Sequence, residues 1–150
     1  MYSFLPNTAA SSPVMNDSSG TPTRSRDRIL IVDDLADNSF LLQTFLETEG
    51  YRVEVADSGY AALEIVFSNP PDLVLLDVMM PGMNGFEVTR RIREEPNLPF
   101  IPILLITGYM EPNPADGFDT GADGFIRKPV DFDELLHRIR GILPPRNRVD

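Results

Sequence analysis

LVLLDVMMPGMNGFEV, residues 73–88, decides the fold. Its first four residues form an apolar run of the length and composition of a buried strand. The run ends on a carboxylate, Asp77, and passes at once into a loop carrying Pro81 and Gly82. From Asn84 the pattern turns helical, with Glu87 three residues on as a capping-box partner and Phe86 in the core period. A charged side chain aimed out of the end of a core strand needs a chemical reason.

Outward from this stretch, strands and helices alternate from Arg28 to Leu143. RILIVDD reads as a strand ending in two acids, Asp33 and Asp34. Leu41, Leu42, Phe45 and Leu46 then fall on one helical face, with Asp37 or Asn38 as N-cap and Gly50 as stop. YRVEVAD is a second strand, followed by a helix presenting Ala62, Leu63, Val66 and Phe67. IPILLI is a fourth strand with Pro102 tolerable near its start, and GFI a short fifth. Asp131 and Glu134 open a last helix whose Leu135, Leu136, Ile139, Ile142 and Leu143 face the core. Such alternation predicts an α/β fold, a parallel sheet covered on both faces. Between Thr107 and Gly121, Pro112, Pro114 and Gly117 leave room for little more than one turn, so the fourth helix is expected to be short or irregular.

Composition narrows the function classes. The chain has 150 residues, about one domain, and 42% hydrophobic content suffices for one core. Cysteine is absent, which excludes disulfides and thiolate metal sites. A net charge of −10 disfavours nucleic-acid binding, which needs clustered Lys and Arg. No apolar run approaches the roughly 18 residues of a membrane helix, and the first residues lack the pattern of a secretion signal. A cytoplasmic protein is expected. Residues 1–27 are rich in Ser, Thr, Pro and Asn and read as a flexible extension, whose Arg24 and Arg26 cancel Asp17 and Asp27. Residues 28–143 form the domain, and residues 144–150 a Pro-rich C-terminal tail.

In open parallel α/β sheets, ligands sit beyond the carboxyl ends of the strands. Asp33 and Asp34 end the first strand and Asp77 the third; if those strands are neighbours, three carboxylates converge. Like charges so close raise one another's pKa unless a cation intervenes. Mg²⁺ fits, because it takes one or two carboxylates and keeps several waters. Thr107 and Lys128 end the fourth and fifth strands on the same edge. Together they supply what a phosphoryl group on Asp77 needs: a hydroxyl for an equatorial oxygen and an ammonium to spread charge.

Through VDD (32–34), LLDVMMPGMNGFE (75–87), LLITG (104–108) and GADGFIRKP (121–129), the chain resembles the receiver domain of two-component response regulators. The resemblance covers about residues 28–143 and implies a flavodoxin-like, doubly wound five-stranded parallel sheet of order 2-1-3-4-5. It implies that Asp77 accepts a phosphoryl group from a sensor histidine kinase or a histidine phosphotransfer protein. It further implies Mg²⁺, with Mn²⁺ as an alternative, held by Asp34 directly, Asp33 largely through water, Asp77 and the backbone carbonyl of Met79. Thr107 and Lys128 would contact the acyl phosphate, and Phe125 would swing inward as Thr107 moves. Lys128–Pro129 matches a bond that is cis in the family. Met79 and Tyr109 match positions that tune how fast water removes the phosphate, and their bulk points to slow self-dephosphorylation.

On this reading the chain is a signalling switch and no enzyme beyond its own phosphorylation and dephosphorylation. Its output must be binding, to an unnamed downstream protein or to a second copy, as a monomer or a phosphorylation-dependent dimer. An aspartate-nucleophile phosphatase of the haloacid-dehalogenase type would need an acid two residues after the nucleophile, where Met79 stands. A flavodoxin-type flavin binder would need a Ser/Thr/Gly phosphate loop where DDLADNS is acidic. A degenerate, non-phosphorylated receiver finds no support while Asp77, Thr107 and Lys128 are all present. The lone histidine, His137, is expected at the surface.

Overall fold

The computed structural model describes residues 27–108 and 121–144. Five strands and four helices occur among them: β1 (Arg28–Val32), α1 (Ala36–Thr48), β2 (Arg52–Ala56), α2 (Gly59–Ser68), β3 (Leu73–Asp77), α3 (Gly85–Glu94), β4 (Ile103–Thr107), β5 (Gly124–Arg127) and α4 (Phe132–Ile142). The strands pair in parallel in the order β2-β1-β3-β4-β5. This is the flavodoxin-like arrangement expected. The short or irregular fourth helix, Tyr109 and the N-terminal extension through Arg26 lie outside the described residues.

Between their end residues the central strands are apolar because both faces are covered. Successive side chains alternate between faces. Val74 and Leu76 of β3 meet Ala62, Val66, Val88 and Ile92 from α2 and α3. Leu73 and Leu75 meet Leu42, Leu46, Leu135 and Ile139 from α1 and α4. All five residues of β3 and of β4 are buried, whereas the edge strand β2 buries only Ala56. Polar side chains cap the starts of α2, α3 and α4. Ser58 Oγ accepts from Ala61 N, Asn84 Oδ1 from Glu87 N, and Asp131 Oδ1 from Asp133 N and Glu134 N.

Local expectations needed correction at three places. Neither Asp37 nor Asn38 caps α1; the residue before the helix is Leu35, with no side-chain cap. The chain enters α1 directly from the acid pair, and Asp33 Oδ1 accepts from Leu35 N at 2.9 Å. Leu41 is 57% exposed and Phe67 47%, because a helix lying on a sheet buries only the arc that meets it. Glu87 does not close a capping box; its carboxylate accepts from Arg90 and Arg91 instead. Gly50 does end α1, with φ +100°, the left-handed geometry that glycine adopts cheaply. His137 is exposed.

Candidate functional site

The parallel order makes β1 and β3 neighbours, and Val32 pairs with Leu76. The next residues, Asp33 and Asp77, therefore leave the sheet side by side. A carboxylate oxygen from each of Asp33, Asp34 and Asp77 can be chosen so that all lie within 4.8 Å of one another. Asp33 and Asp77 are 4% and 3% exposed, and Asp34 is the least buried of the three. On the other side of Asp77, Lys128 follows β5 and its Nζ stands 3.0 Å from Asp77 Oδ1. The Lys128–Pro129 peptide bond is cis.

Three carboxylates facing one ammonium leave an excess of negative charge on this edge. Burial pushes the Asp77 carboxyl above the usual carboxylate range, and the charge of Asp33 adds to it. Lys128 and the Met79 backbone N–H pull the other way without cancelling the rise. The contact between the Lys128 ammonium and Asp77 Oδ1 is an ion pair. Asp77 Oδ1 is thus the one buried side-chain polar atom among the described residues left without a hydrogen bond. An acceptor held by one ion pair alone keeps capacity for a further positive partner.

The donor set fits a hard divalent cation. Mg²⁺ takes oxygen ligands at about 2.1 Å, so opposite ligands stand about 4.2 Å apart. Oxygens within 4.8 Å of one another can share one such ion, some directly and some through the waters it keeps.

Thr107 ends β4 and is 2% exposed, but its hydroxyl donates to the Gly108 carbonyl at 3.1 Å rather than to Asp77. Phe125 is half-buried against the cluster under α2 and α3, and its carbonyl accepts from Arg138 Nη1 at 3.1 Å. Met79 is 59% exposed at the rim. A groove of about 340 Å³ opens beside the carboxylates between the starts of α1 and α4, lined by Asp33, Asn38, Leu41, Lys128, Val130 and Phe132 among others. Leu41, expected in the core, is one wall of that groove.

The family model for the response regulator receiver domain matches residues 29–140. The chain belongs to that family. Within curated receivers it is 41% identical over 116 residues to Response regulator PleD of Caulobacter vibrioides, and 40% identical over 127 residues to Response regulator ArlR of Staphylococcus saprophyticus. The matches cover 77% and 82% of this chain but 26% and 56% of those proteins. Among solved structures it resembles chemotaxis protein CheY4 of Vibrio cholerae, with a TM-score of 0.72 at 30% identity over 79% of this chain and 99% of that one. A CheY-like receiver domain protein of Methanospirillum hungatei gives 0.74 at 33% identity over 79% and 94%.

Receivers are signalling switches of two-component systems, phosphorylated on an aspartate in a Mg²⁺-dependent reaction. In this receiver the structure brings Asp33, Asp34, Asp77 and Lys128 together at one sheet edge. Thr107 and Phe125 lie on the neighbouring strands with their side chains engaged elsewhere. Asn38, which the sequence suggested only as a cap, lines the groove; a polar residue one turn into a helix carries no pattern that would have singled it out.

Proposed function

We propose that Asp77 accepts a phosphoryl group from the phosphohistidine of a sensor kinase or a histidine phosphotransfer protein. The nitrogen–phosphorus bond of the donor breaks, an oxygen–phosphorus bond to the Asp77 carboxylate forms, and the leaving imidazole takes up a proton. The carrying observation is the buried Asp77 Oδ1, without a hydrogen bond and 3.0 Å from Lys128 Nζ. Asp33, Asp34, Asp77 and the Met79 carbonyl would hold Mg²⁺, or Mn²⁺ in its place. The bound cation supplies positive charge for the phosphoryl oxygens. Lys128 stays beside Asp77 and neutralises charge on the transferred group. Thr107 turns its hydroxyl from the Gly108 carbonyl to a phosphoryl oxygen, and Phe125 rotates into the space it vacates.

The donor has an apolar landing at the start of α1: Leu35, Phe40 and Leu41 are 55%, 66% and 57% exposed, and Leu41 lines the groove. Residues 28–143 act as the receiver unit, supported by the family match over 29–140 and by the compact unit Asp27–Leu143. The unit catalyses only its own phosphorylation and dephosphorylation, works in the cytoplasm, and signals by binding a protein target. Loss of phosphate is slow, because the Met79 side chain screens the phosphoryl face from water. A phosphate-release time course checks this: Met79→Asn is expected to release phosphate faster, and an unchanged rate refutes it.

The reading as a whole is tested with acetyl phosphate or phosphoramidate, followed by intact mass. A phosphate-sized gain is expected that requires Mg²⁺ and disappears in Asp77→Asn. No gain with Mg²⁺ present, or a gain kept by the variant, refutes it.

A further inference from the structure

Two helices of this chain begin on a glycine just after a polar cap, although glycine is a poor helix former. α2 begins at Gly59 after Ser58, and α3 at Gly85 after Asn84. The two glycines leave room for different things. A Cβ on Gly59 would meet only side-chain atoms, Val88 Cγ2 at 2.8 Å and Met83 Cβ and Sδ at 3.0 and 3.1 Å. A Cβ on Gly85 would meet backbone: the carbonyl oxygen of Asp77 at 2.6 Å, Val78 Cα at 2.9 Å and the Asp77 carbonyl carbon at 3.2 Å.

The start of α3 is pinned to that backbone. Gly85 N–H donates to the Val78 carbonyl at 2.8 Å. The Gly85 carbonyl accepts from the hydroxyl of Thr89, a fully buried residue, at 2.9 Å. The loop from Val78 to Asn84 is thereby closed by a clasp whose jaws are the Asp77–Val78 peptide and the first turn of α3. Val88 Cγ2 and Met83 Sδ can turn aside from a methyl at position 59, leaving Met83 Cβ at 3.0 Å to give a little; the Asp77–Val78 peptide is tied, because the Val78 N–H donates to the Ile106 carbonyl of β4.

We propose that Gly85 is a positioning residue for the phosphoacceptor. Its missing side chain lets α3 close on the Asp77–Val78 peptide and so sets where the Asp77 carboxylate and the Met79 carbonyl point. This rests on Asp77 being the phosphoacceptor. A methyl at position 85 moves the peptide or the helix by several tenths of an ångström, and in-line transfer is sensitive to displacements on that scale.

The test measures phosphorylation by phosphoramidate in wild type, Gly85→Ala and Gly59→Ala, each per folded molecule, as a function of donor and Mg²⁺ concentration. Wild type is phosphorylated; a wild type that is not refutes the phosphoacceptor reading itself and the proposal with it. Gly85→Ala is expected to lose about tenfold or more in the rate at saturating donor and Mg²⁺. Gly59→Ala, equally crowded but only by side chains, is expected to keep the wild-type rate while melting lower. A folded Gly85→Ala with the rate of Gly59→Ala would overturn the proposal. Where Gly85→Ala does not fold, Thr89→Val carries the test, since it loosens the same clasp without added bulk. A loss of roughly threefold in the saturated rate supports the proposal, and the wild-type rate overturns it.

Discussion

The two edges of the sheet treat their charges in opposite ways. At the amino edge Arg28 and Arg93 are spent on structure. Arg28 donates to the carbonyls of Asn69 and Pro70 and to Glu54, while its N–H donates to Asp72. Arg93 is spent just as fully, on the carbonyls of Ile101 and Gly121 at 2.7 and 2.9 Å and on Asp123 at 2.8 Å, with the Phe100 ring 4.8 Å away. At the carboxyl edge three acids share one lysine, and a buried oxygen goes without a hydrogen bond. The same fold that satisfies one edge leaves the other unsatisfied. The difference teaches where to look for function: an edge that costs stability in the free protein is one whose cost a ligand removes.

Breaking the satisfied edge should give the largest change in stability. Arg93→Ala removes three side-chain hydrogen bonds and strands the Ile101 and Gly121 carbonyls, for a loss of about 2–3 kcal/mol. Denaturant unfolding measures it, and Mg²⁺ affinity by calorimetry should stay at the wild-type value.

Neutralising the unsatisfied edge should act in the opposite direction. Asp77→Asn replaces a buried carboxylate beside Asp33, and in the metal-free protein at neutral pH it is expected to be more stable than wild type. The gain should depend on pH. The Asp77 carboxyl is held above its ordinary range, so the fold favours its protonated form. That favourable contribution is fully present below the ordinary carboxylate range and is lost as pH rises through the raised value. Unfolding in chelator across pH should therefore show wild type and Asp77→Asn nearly alike in acid and separating toward neutrality. Curves that stay parallel would remove the contrast.

The smallest effect belongs to a surface pair that serves neither edge. Arg91→Ala breaks an exposed contact to Glu87 on α3 and should change stability by less than about 0.5 kcal/mol in the same unfolding assay.

Much of the carboxyl edge was legible in the sequence, because the chemistry sits where strands stop. An apolar run ending on Asp77, and another ending on Asp33 and Asp34, announce their carboxylates without any tertiary knowledge. That β1 and β3 are neighbours is not written in any local pattern; it came from resemblance, and the register of Val32 with Leu76 bears it out. The amino edge was illegible. In the sequence Arg93 is one of three arginines within four residues, and only the approach of residues 101, 121 and 123 distinguishes it from Arg90 and Arg91. Helical periodicity placed Leu41 and Phe67 inside because it counts a stripe, whereas the sheet decides how much of the stripe is covered. Gly85 drew no reading beyond its place at the start of a helix, since a glycine's steric role depends on backbone eight residues away in the chain.

The central claim is that the carboxyl edge is built for a cation and holds a cost without one. The most direct test is thermal unfolding of wild type and Asp34→Asn at neutral pH over a Mg²⁺ titration. Wild type should rise in melting temperature and keep rising logarithmically with Mg²⁺ above the dissociation constant, worth about 1.4 kcal/mol at ten times that constant, and Asp34→Asn should not respond over the same range. A wild type indifferent to Mg²⁺, or a variant that responds equally, would contradict the account.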